Sequence, residues 1–453
     1  MRPARECCIV GAGMAGSLLG TLLARRGWRV DLFERRPDPR RVGYEGGRSI
    51  NLALAERGLH ALRLAGLESP VMAQAIMMRG RMVHVPGQPP QLQRYGRDDR
   101  EVIWSVHRGR LNLTMLDAAE AAGARIHFET RLEHIDWVDQ RLHFRRPGNR
   151  CVHHDFDFVV GADGAGSTVR HEIARELPLG QRVDELGHGY KELEIPPAED
   201  GGFRIEPHAL HIWPRGHFMC IALPNTERSF TVTLFLPRRG PHPSFESLRD
   251  GQAAQRFFRE TFADAAPLMP DLVRHFDAHP VGMLATLYLD RWYLDQRAVL
   301  LGDAAHAMVP FHGQGMNCAF EDCVELATRL DSAADREAAF AEYEAVRLPN
   351  ARAIQAMALE NYIEMRDRVD DADYLLQREL EKRLAARHPE RFVPRYSMVS
   401  FTRVPYATAL ERGRIQRELL VEATRGLDAI DQVNLEALDR RILDLLEPLA
   451  PPS

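Results

Sequence analysis

The turn Gly11-Ala12-Gly13-Met14-Ala15-Gly16 follows directly on the apolar run Cys7-Cys8-Ile9-Val10. A buried strand ending at Val10 can pass into a helix through this turn in few ways. Gly11 permits the tight turn, Gly13 lets the backbone approach a pyrophosphate, and Gly16 lets the helix pack against the strand. The spacing predicts a helix over about Met14 to Arg26, with Leu18, Leu19, Leu22 and Leu23 on its apolar side and Gly27 as its stop. Its free amide groups and positive dipole end favour phosphate. A second strand, Arg29 to Glu34, ends on an acid placed to accept hydrogen bonds from a ribose diol, with Arg36 beside it as a phosphate neighbour. These parts predict a dinucleotide-binding β-α-β unit. The competing reading is a membrane anchor, because Cys7 to Ala24 carries no charge and Gly16 with Gly20 makes a small-xxx-small pair. The glycines, and an amphipathic strand following at once, argue against a lipid-spanning helix.

Two further turns belong with the first. Val159-Val160-Gly161-Ala162-Asp163-Gly164 reads as a buried strand and a tight turn, with Ser167 able to cap the helix after it. Val299-Leu300-Leu301-Gly302-Asp303 reads the same way, and Gly313-Gln314-Gly315-Met316-Asn317 follows at the start of a helix predicted over Met316 to Leu330. Asp303 can accept a hydrogen bond from a ribityl hydroxyl; the alternative is an N-cap with no ligand. Backbone amides of Gly313, Gly315 and Asn317 can stabilise negative charge on a reduced flavin ring. The three turns together narrow the reading to FAD-dependent monooxygenase chemistry. No second strand–GxGxxG–helix occurs in the sequence, so NAD(P)H is expected as a transient co-substrate. No His or Cys sits in an obvious flavinylation context, so the FAD is expected to be non-covalent.

At 453 residues, with 45% hydrophobic and 27% charged residues, the chain can bury a sizeable core and is not disordered in composition. A formal net charge of −5 gives no reason to expect nucleic acid as a partner. The six cysteines include no metal-spaced CxxC pair and read as small core hydrophobes in a reducing compartment. His208 and His211 have the spacing of one helix face but lie in a β-rich stretch, so no metal is predicted. Short strands are predicted at Met82–Val85, Val102–Val106, Arg125–Phe128, Leu142–Arg145, Phe156–Val160, Leu210–Trp213, Phe218–Leu223 and Phe230–Leu236, and helices at Glu56–Gly66 and Leu111–Ala122. From Asp335 the pattern is helical. The expected fold is α/β: a Rossmann-like FAD-binding domain in three pieces (1–78, 104–180 and 290–335), an inserted β-sheet substrate domain (79–103 and 181–289) and a C-terminal helical domain (336–453). The ending Leu-Ala-Pro-Pro-Ser is no anchor, which leads to the expectation of a soluble cytoplasmic protein with no membrane partner. The sequence leaves a homodimer open.

Three runs carry a resemblance, the first and third of them more specific than the flavin turns. They are Gly47-Arg48-Ser49-Ile50-Asn51-Leu52-Ala53-Leu54-Ala55-Glu56-Arg57-Gly58, Gly302 to Asn317, and Glu360-Asn361-Tyr362-Ile363-Glu364-Met365-Arg366. With them the chain resembles the kynurenine 3-monooxygenase family of flavin aromatic hydroxylases from about residue 6 to about residue 415. That resemblance implies hydroxylation of L-kynurenine to 3-hydroxy-L-kynurenine with NADPH and O2 through a C4a-hydroperoxyflavin. It implies that Arg81 pairs with the substrate carboxylate, with Tyr95, Asn361 and Tyr396 as further polar contacts. It implies Ile103, Leu210, Ile221, Leu223, Phe235 and Phe311 around the aniline ring. Ala53, Arg108, Leu132, Asp163, Asp303 and Met316 are implied FAD contacts, Asp163 lying near the pyrophosphate and contributing to pyridine-nucleotide binding in that family. His312 stands where some members have an apolar residue, which makes that wall more polar here. The reaction needs no strong base, because the ring amine activates the carbon ortho to it, and no catalytic acid or base is assigned.

Taken singly, several of these residues also fit blander roles: Arg81 a surface arginine, Tyr95 and Tyr396 interface tyrosines with wet hydroxyls, the apolar set plain core. A hydroxylase acting on another aromatic acid or a phenol remains open, as does a non-catalytic escort protein on a flavoprotein scaffold. The Trp-x-Trp-x-Ile-Pro signature of tryptophan halogenases is absent.

Overall fold

A computed structural model describes residues 5–43, 51–367 and 372–449; of the runs quoted above, Gly47, Arg48, Ser49 and Ile50 lie outside the described residues. The N-terminal apolar run forms the strand Glu6–Val10, followed by the helix Met14–Arg25 and the strand Arg29–Phe33. Four further strands, three of them parallel, extend this unit. The six-stranded sheet runs in the order Tyr293–Leu294, Ala298–Leu300, Val159–Gly161, Glu6–Val10, Arg29–Phe33, Arg125–His127, parallel except at the Tyr293–Leu294 edge. The helix Met14–Arg25 packs on this sheet, and its Phe33 stacks at 4.3 Å on Phe144 of a separate three-stranded sheet; its central strands, buried in this way, are continuously apolar rather than alternating. Ile9, Val159, Val160, Val299 and Leu300 are fully buried in the largest core of the molecule.

A seven-stranded sheet stands apart, ordered Gly282–Tyr288, Arg182–Ile195, Phe230–Pro237, Met219–Pro224, Leu210–Pro214, Gly80–Val83, Gln91–Arg94. Its strands alternate. Trp213, Cys220, Val232 and Leu234 turn one face toward the helices Gly251–Thr261 and Leu272–Ala278, while Ile212, Met219 and Phe235 turn the other toward Phe311, Tyr362 and Met365. Those two helices were not among the sequence expectations. Their signal was present: Asp250 accepts the Ala253 amide at 2.7 Å as an N-cap, and Ala254, Phe257 and Phe258 recur at helical spacing. The strand expected at Met82–Val85 begins two residues earlier, at Gly80, because Arg81 pairs with Leu210 on one side and Gln93 on the other. The strand expected over Phe156–Val160 shortens to Val159–Gly161, and Arg182–Ile195 is one 14-residue strand pairing both neighbours.

Two three-stranded sheets complete the β structure, Asn51–Leu54 / Ile103–His107 / Ala75–Met78 and Arg150–Asp155 / Arg141–Arg146 / Arg131–Asp136. The C-terminal helices Arg336–Asp367, Ala372–Arg387, Arg395–Phe401, Tyr406–Thr424 and Leu435–Leu445 follow. No described helix is long and apolar enough to cross a membrane.

Candidate active site

The strands that precede the three glycine turns are adjacent and parallel, Cys8 opposite Val159 and Val160 opposite Val299. Their carboxyl ends therefore place the turns side by side, where open α/β sheets bind ligands. Gly11, at φ +103°, lies so close to the second turn that a Cβ would strike the Ala162 carbonyl, and a Cβ on Gly16 would strike the Gly11 carbonyl. Gly13 is the opposite case. No heavy atom lies within 4 Å of the point its Cβ would take, and the helix Met14–Arg25 starts there without a side-chain cap. The turn is thus open at Gly13, as the approach of a pyrophosphate requires, while the Gly11 and Ala12 amides are taken by the Phe33 carbonyl (2.8 Å) and the Glu34 carboxylate (3.1 Å).

Glu34 is buried at the end of its strand, where its carboxylate accepts the Ala12 amide at 3.1 Å and the Arg36 backbone and Nε at 2.9 Å each. It braces the first turn. Asp163 caps the helix Thr168–Glu176, accepting the Thr168 and Val169 amides at 2.6 and 3.2 Å and the Ser167 hydroxyl, while Ser167 accepts the Arg170 amide at 2.9 Å. Its carboxylate is engaged there, which leaves ligand approach at this turn to the backbone. At the third turn Gly302 occupies the N-cap position, so Asp303 is not the cap. It is the first helical residue, exposed, with no hydrogen bond to any described residue. Asn317 is fully buried, its amide tying Ala53 and Gly313 carbonyls (2.9 and 3.0 Å) and the Ala55 amide (3.0 Å) together. The helix Gly315–Ser332 has no side-chain cap, because Gln314 accepts the Tyr406 hydroxyl at 2.9 Å. The amides of Gly315 and Met316 are left to a ligand. Leu132 packs in the core with Phe33, and Arg108 opens the helix Arg108–Ala121, whose cap is His107. An open phosphate cradle, an unpartnered carboxylate and a second uncapped helix end suit FAD.

A cavity of about 250 Å³ lies where the seven-stranded sheet meets the Pro310–His312 turn and the C-terminal helices. The structure brings Arg81, Tyr95, His312, Asn361 and Tyr396 together on its wall. Tyr95 and Tyr396 stack at 5.0 Å, and His312 stacks on the far side of Tyr396 at 5.5 Å. The Arg81 guanidinium lies 5.8 and 5.7 Å from the two tyrosine rings. Arg81 Nη2 donates to Asn361 Oδ1 at 3.3 Å, and Asn361 Nδ2 donates to the Phe311 carbonyl at 2.6 Å. Among the described residues Arg81 has no carboxylate within 4.0 Å. Burial works against its charge, but Tyr95, Tyr396 and Glu364 outweigh it and the pKa is raised. Burial pushes both tyrosine hydroxyls up. His312 is lowered to about 4 by burial, helped by Arg395 and Arg81, and its Nδ1 is buried without a hydrogen-bond partner.

The apolar residues fall in two touching groups. Ile103 and Leu223 pack with Tyr95, Leu210 and Ile221, and Leu210 and Ile221 also border Phe235 and Phe311, whose rings are 5.0 Å apart. Arg57 and Glu364 carry roles that sequence reasoning did not assign. Arg57 is 1% exposed and donates to the carbonyls of Met398 (3.3 Å), Val399 (3.0 Å) and Val404, pairs with Glu321 at 2.8 Å and stacks on Tyr406. It thereby holds the end of the helix Arg395–Phe401 that carries Tyr396. Both residues lie within the quoted runs, and Glu364 follows Asn361 by one helical turn, a spacing that marks a shared face.

Cradle and cavity together define a flavoprotein of the aromatic-hydroxylase architecture, and the FAD binding domain family matches residues 5–358. Among solved structures, 2-methyl-3-hydroxypyridine-5-carboxylic acid oxygenase shares the fold with a TM-score of 0.66 at 20% identity, covering 82% of this chain and 95% of that one. P. aeruginosa PqsL shares it with a TM-score of 0.64 at 24% identity, covering 81% and 97%. Kynurenine 3-monooxygenase of Xanthomonas axonopodis pv. citri is 59% identical over 446 residues, 98% of each chain. That of Stenotrophomonas maltophilia is 60% identical over 439 residues, 97% of this chain and 96% of the other. The chain belongs to the kynurenine 3-monooxygenase family.

Proposed function

We propose that the protein hydroxylates L-kynurenine at the ring carbon ortho to its amine, consuming NADPH and O2. The observation that carries this reading is Arg81: a guanidinium beside the stacked pair Tyr95 and Tyr396, 5.8 and 5.7 Å from their rings, with the Asn361 amide oxygen accepting from it at 3.3 Å. A cation withdrawn from water without an anion is costly, and an incoming carboxylate relieves that cost. Asn361 orients Arg81, because its own amide is fixed on the Phe311 carbonyl. Tyr95 and Tyr396 keep neutral hydroxyls able to donate to the same carboxylate. Ile103, Leu210, Ile221, Leu223, Phe235 and Phe311 then receive the aniline ring and exclude water from it. Neutral His312, on the cavity wall and three residues before Gly315, offers a hydrogen-bonding nitrogen.

FAD, reduced by NADPH, supplies the activation of O2. Gly13, Asp303 and the first turn of the helix Gly315–Ser332 are the groups that would hold it. The protein's own task is placement, since the substrate amine provides the electron release. The test is incubation of FAD-loaded protein with L-kynurenine, NADPH and O2 and chromatography of the products. 3-Hydroxykynurenine in step with NADPH consumption is expected; NADPH oxidation stimulated instead by a benzoate or phenol would replace kynurenine with that substrate.

A further inference from the structure

Arg81 accounts for one charge of an amino acid, and the same cavity holds an answer to the other. Three carboxylates line it, Glu360, Glu364 and Glu381. Glu360 is paired with Arg395, and Glu381 with Arg378 at 3.2 Å. Glu364 has no cation within 4.0 Å among the described residues, and its described hydrogen bond comes from the Tyr374 hydroxyl. It projects from the helix Arg336–Asp367 one turn beyond Asn361, the residue that Arg81 contacts. Burial pushes its carboxyl up, but the Arg81, Tyr374, Arg378 and Arg395 groups outweigh this and keep it ionised. One wall of the cavity thus carries a half-buried cation and a half-buried anion, neither with an ion-pair partner within 4.0 Å among the described residues. Such an arrangement is costly when empty and complementary to a zwitterion.

We propose that Glu364 receives the α-ammonium group of the substrate and so selects α-amino acids over the corresponding simple carboxylic acids. This rests on the reading that Arg81 takes the carboxylate. In an amino acid the two charged groups share one carbon, so a site that binds it with both needs its cation and its anion on one wall, as here. The experiment compares FAD-loaded wild type with Glu364→Gln, each titrated against flavin absorbance with L-kynurenine and with 4-(2-aminophenyl)-4-oxobutanoate, which lacks only the α-amino group. Wild type is expected to favour kynurenine by about tenfold or more. The glutamine variant is expected to lose that preference by weakening toward kynurenine alone, and Glu364→Asp to recover part of it. Equal weakening toward both ligands overturns the proposal, because Glu364 would then act only through Arg81. An unchanged preference in the variant also overturns it, while leaving the kynurenine reading intact. A wild-type protein that binds neither ligand overturns both readings. FAD content and thermal unfolding report whether each variant is folded.

Discussion

Arg81 concentrates the largest single-residue effect. Truncating one partner of a desolvated charge pair costs on the order of 2–5 kcal/mol, and each 1.4 kcal/mol is about tenfold in affinity. Arg81→Ala should weaken kynurenine binding roughly 30-fold or more, read by flavin absorbance, with FAD content unchanged. Arg81→Lys should restore only part of this, since an ammonium has no planar fork. Near-wild-type affinity in a folded alanine variant would move the carboxylate elsewhere. His312 makes a different prediction. Its pKa is lowered to about 4 from a reference near 6.5. Between those values the unfolded chain takes up a proton that the folded chain refuses, so stability falls as pH drops through that window. The full span corresponds to about 3 kcal/mol. His312→Gln should flatten the dependence of Tm on pH between about 6.5 and 4, and His211, also lowered to about 4, should leave a residual slope. An unchanged slope would mean that His312 is not buried neutral.

Among the elements, the short helix Arg395–Phe401 depends on a partner far along the chain. Arg57 satisfies its last carbonyls and is itself answered by Glu321, which also pairs with Arg347 at 3.1 Å. Removing one member of a buried ion pair is destabilising by about 3–5 kcal/mol. Arg57→Met should lower Tm and weaken kynurenine binding while leaving the glycine turns free to bind FAD; an unchanged Tm and affinity would mean that packing alone holds the helix. This element also shows what can be read from sequence. The first β-α-β unit was legible because its signals are local: an apolar run, three glycines and an acid at the end of the second strand, all within one stretch. The four-residue strands Asn51–Leu54, Ala75–Met78 and Gln91–Arg94 are too short to display a period, and the first two pair with Ile103–His107, well along the chain. Arg81 and Asn361 were legible only through resemblance. Nothing local in Arg57 announces that its carbonyl acceptors lie more than 340 positions away.

Taken as a whole, the molecule gathers one cofactor seat from three distant segments and closes the substrate pocket with a fourth. A ligand that binds only the folded state adds about 2.7 kcal/mol of stability at a hundredfold excess over Kd. FAD should therefore raise Tm in a concentration-dependent way, and thermal scans with and without added flavin check it. A Tm indifferent to FAD would contradict the cradle described above. The strand Ala298–Leu300 adjoins Val159–Gly161, which in turn adjoins Glu6–Val10. The earliest turn is made in the first few seconds of synthesis, yet its neighbours are still unmade. A nascent chain on the ribosome holds at most two of the three turns until Gly302 has been made, so the complete seat exists only in the closing third of translation.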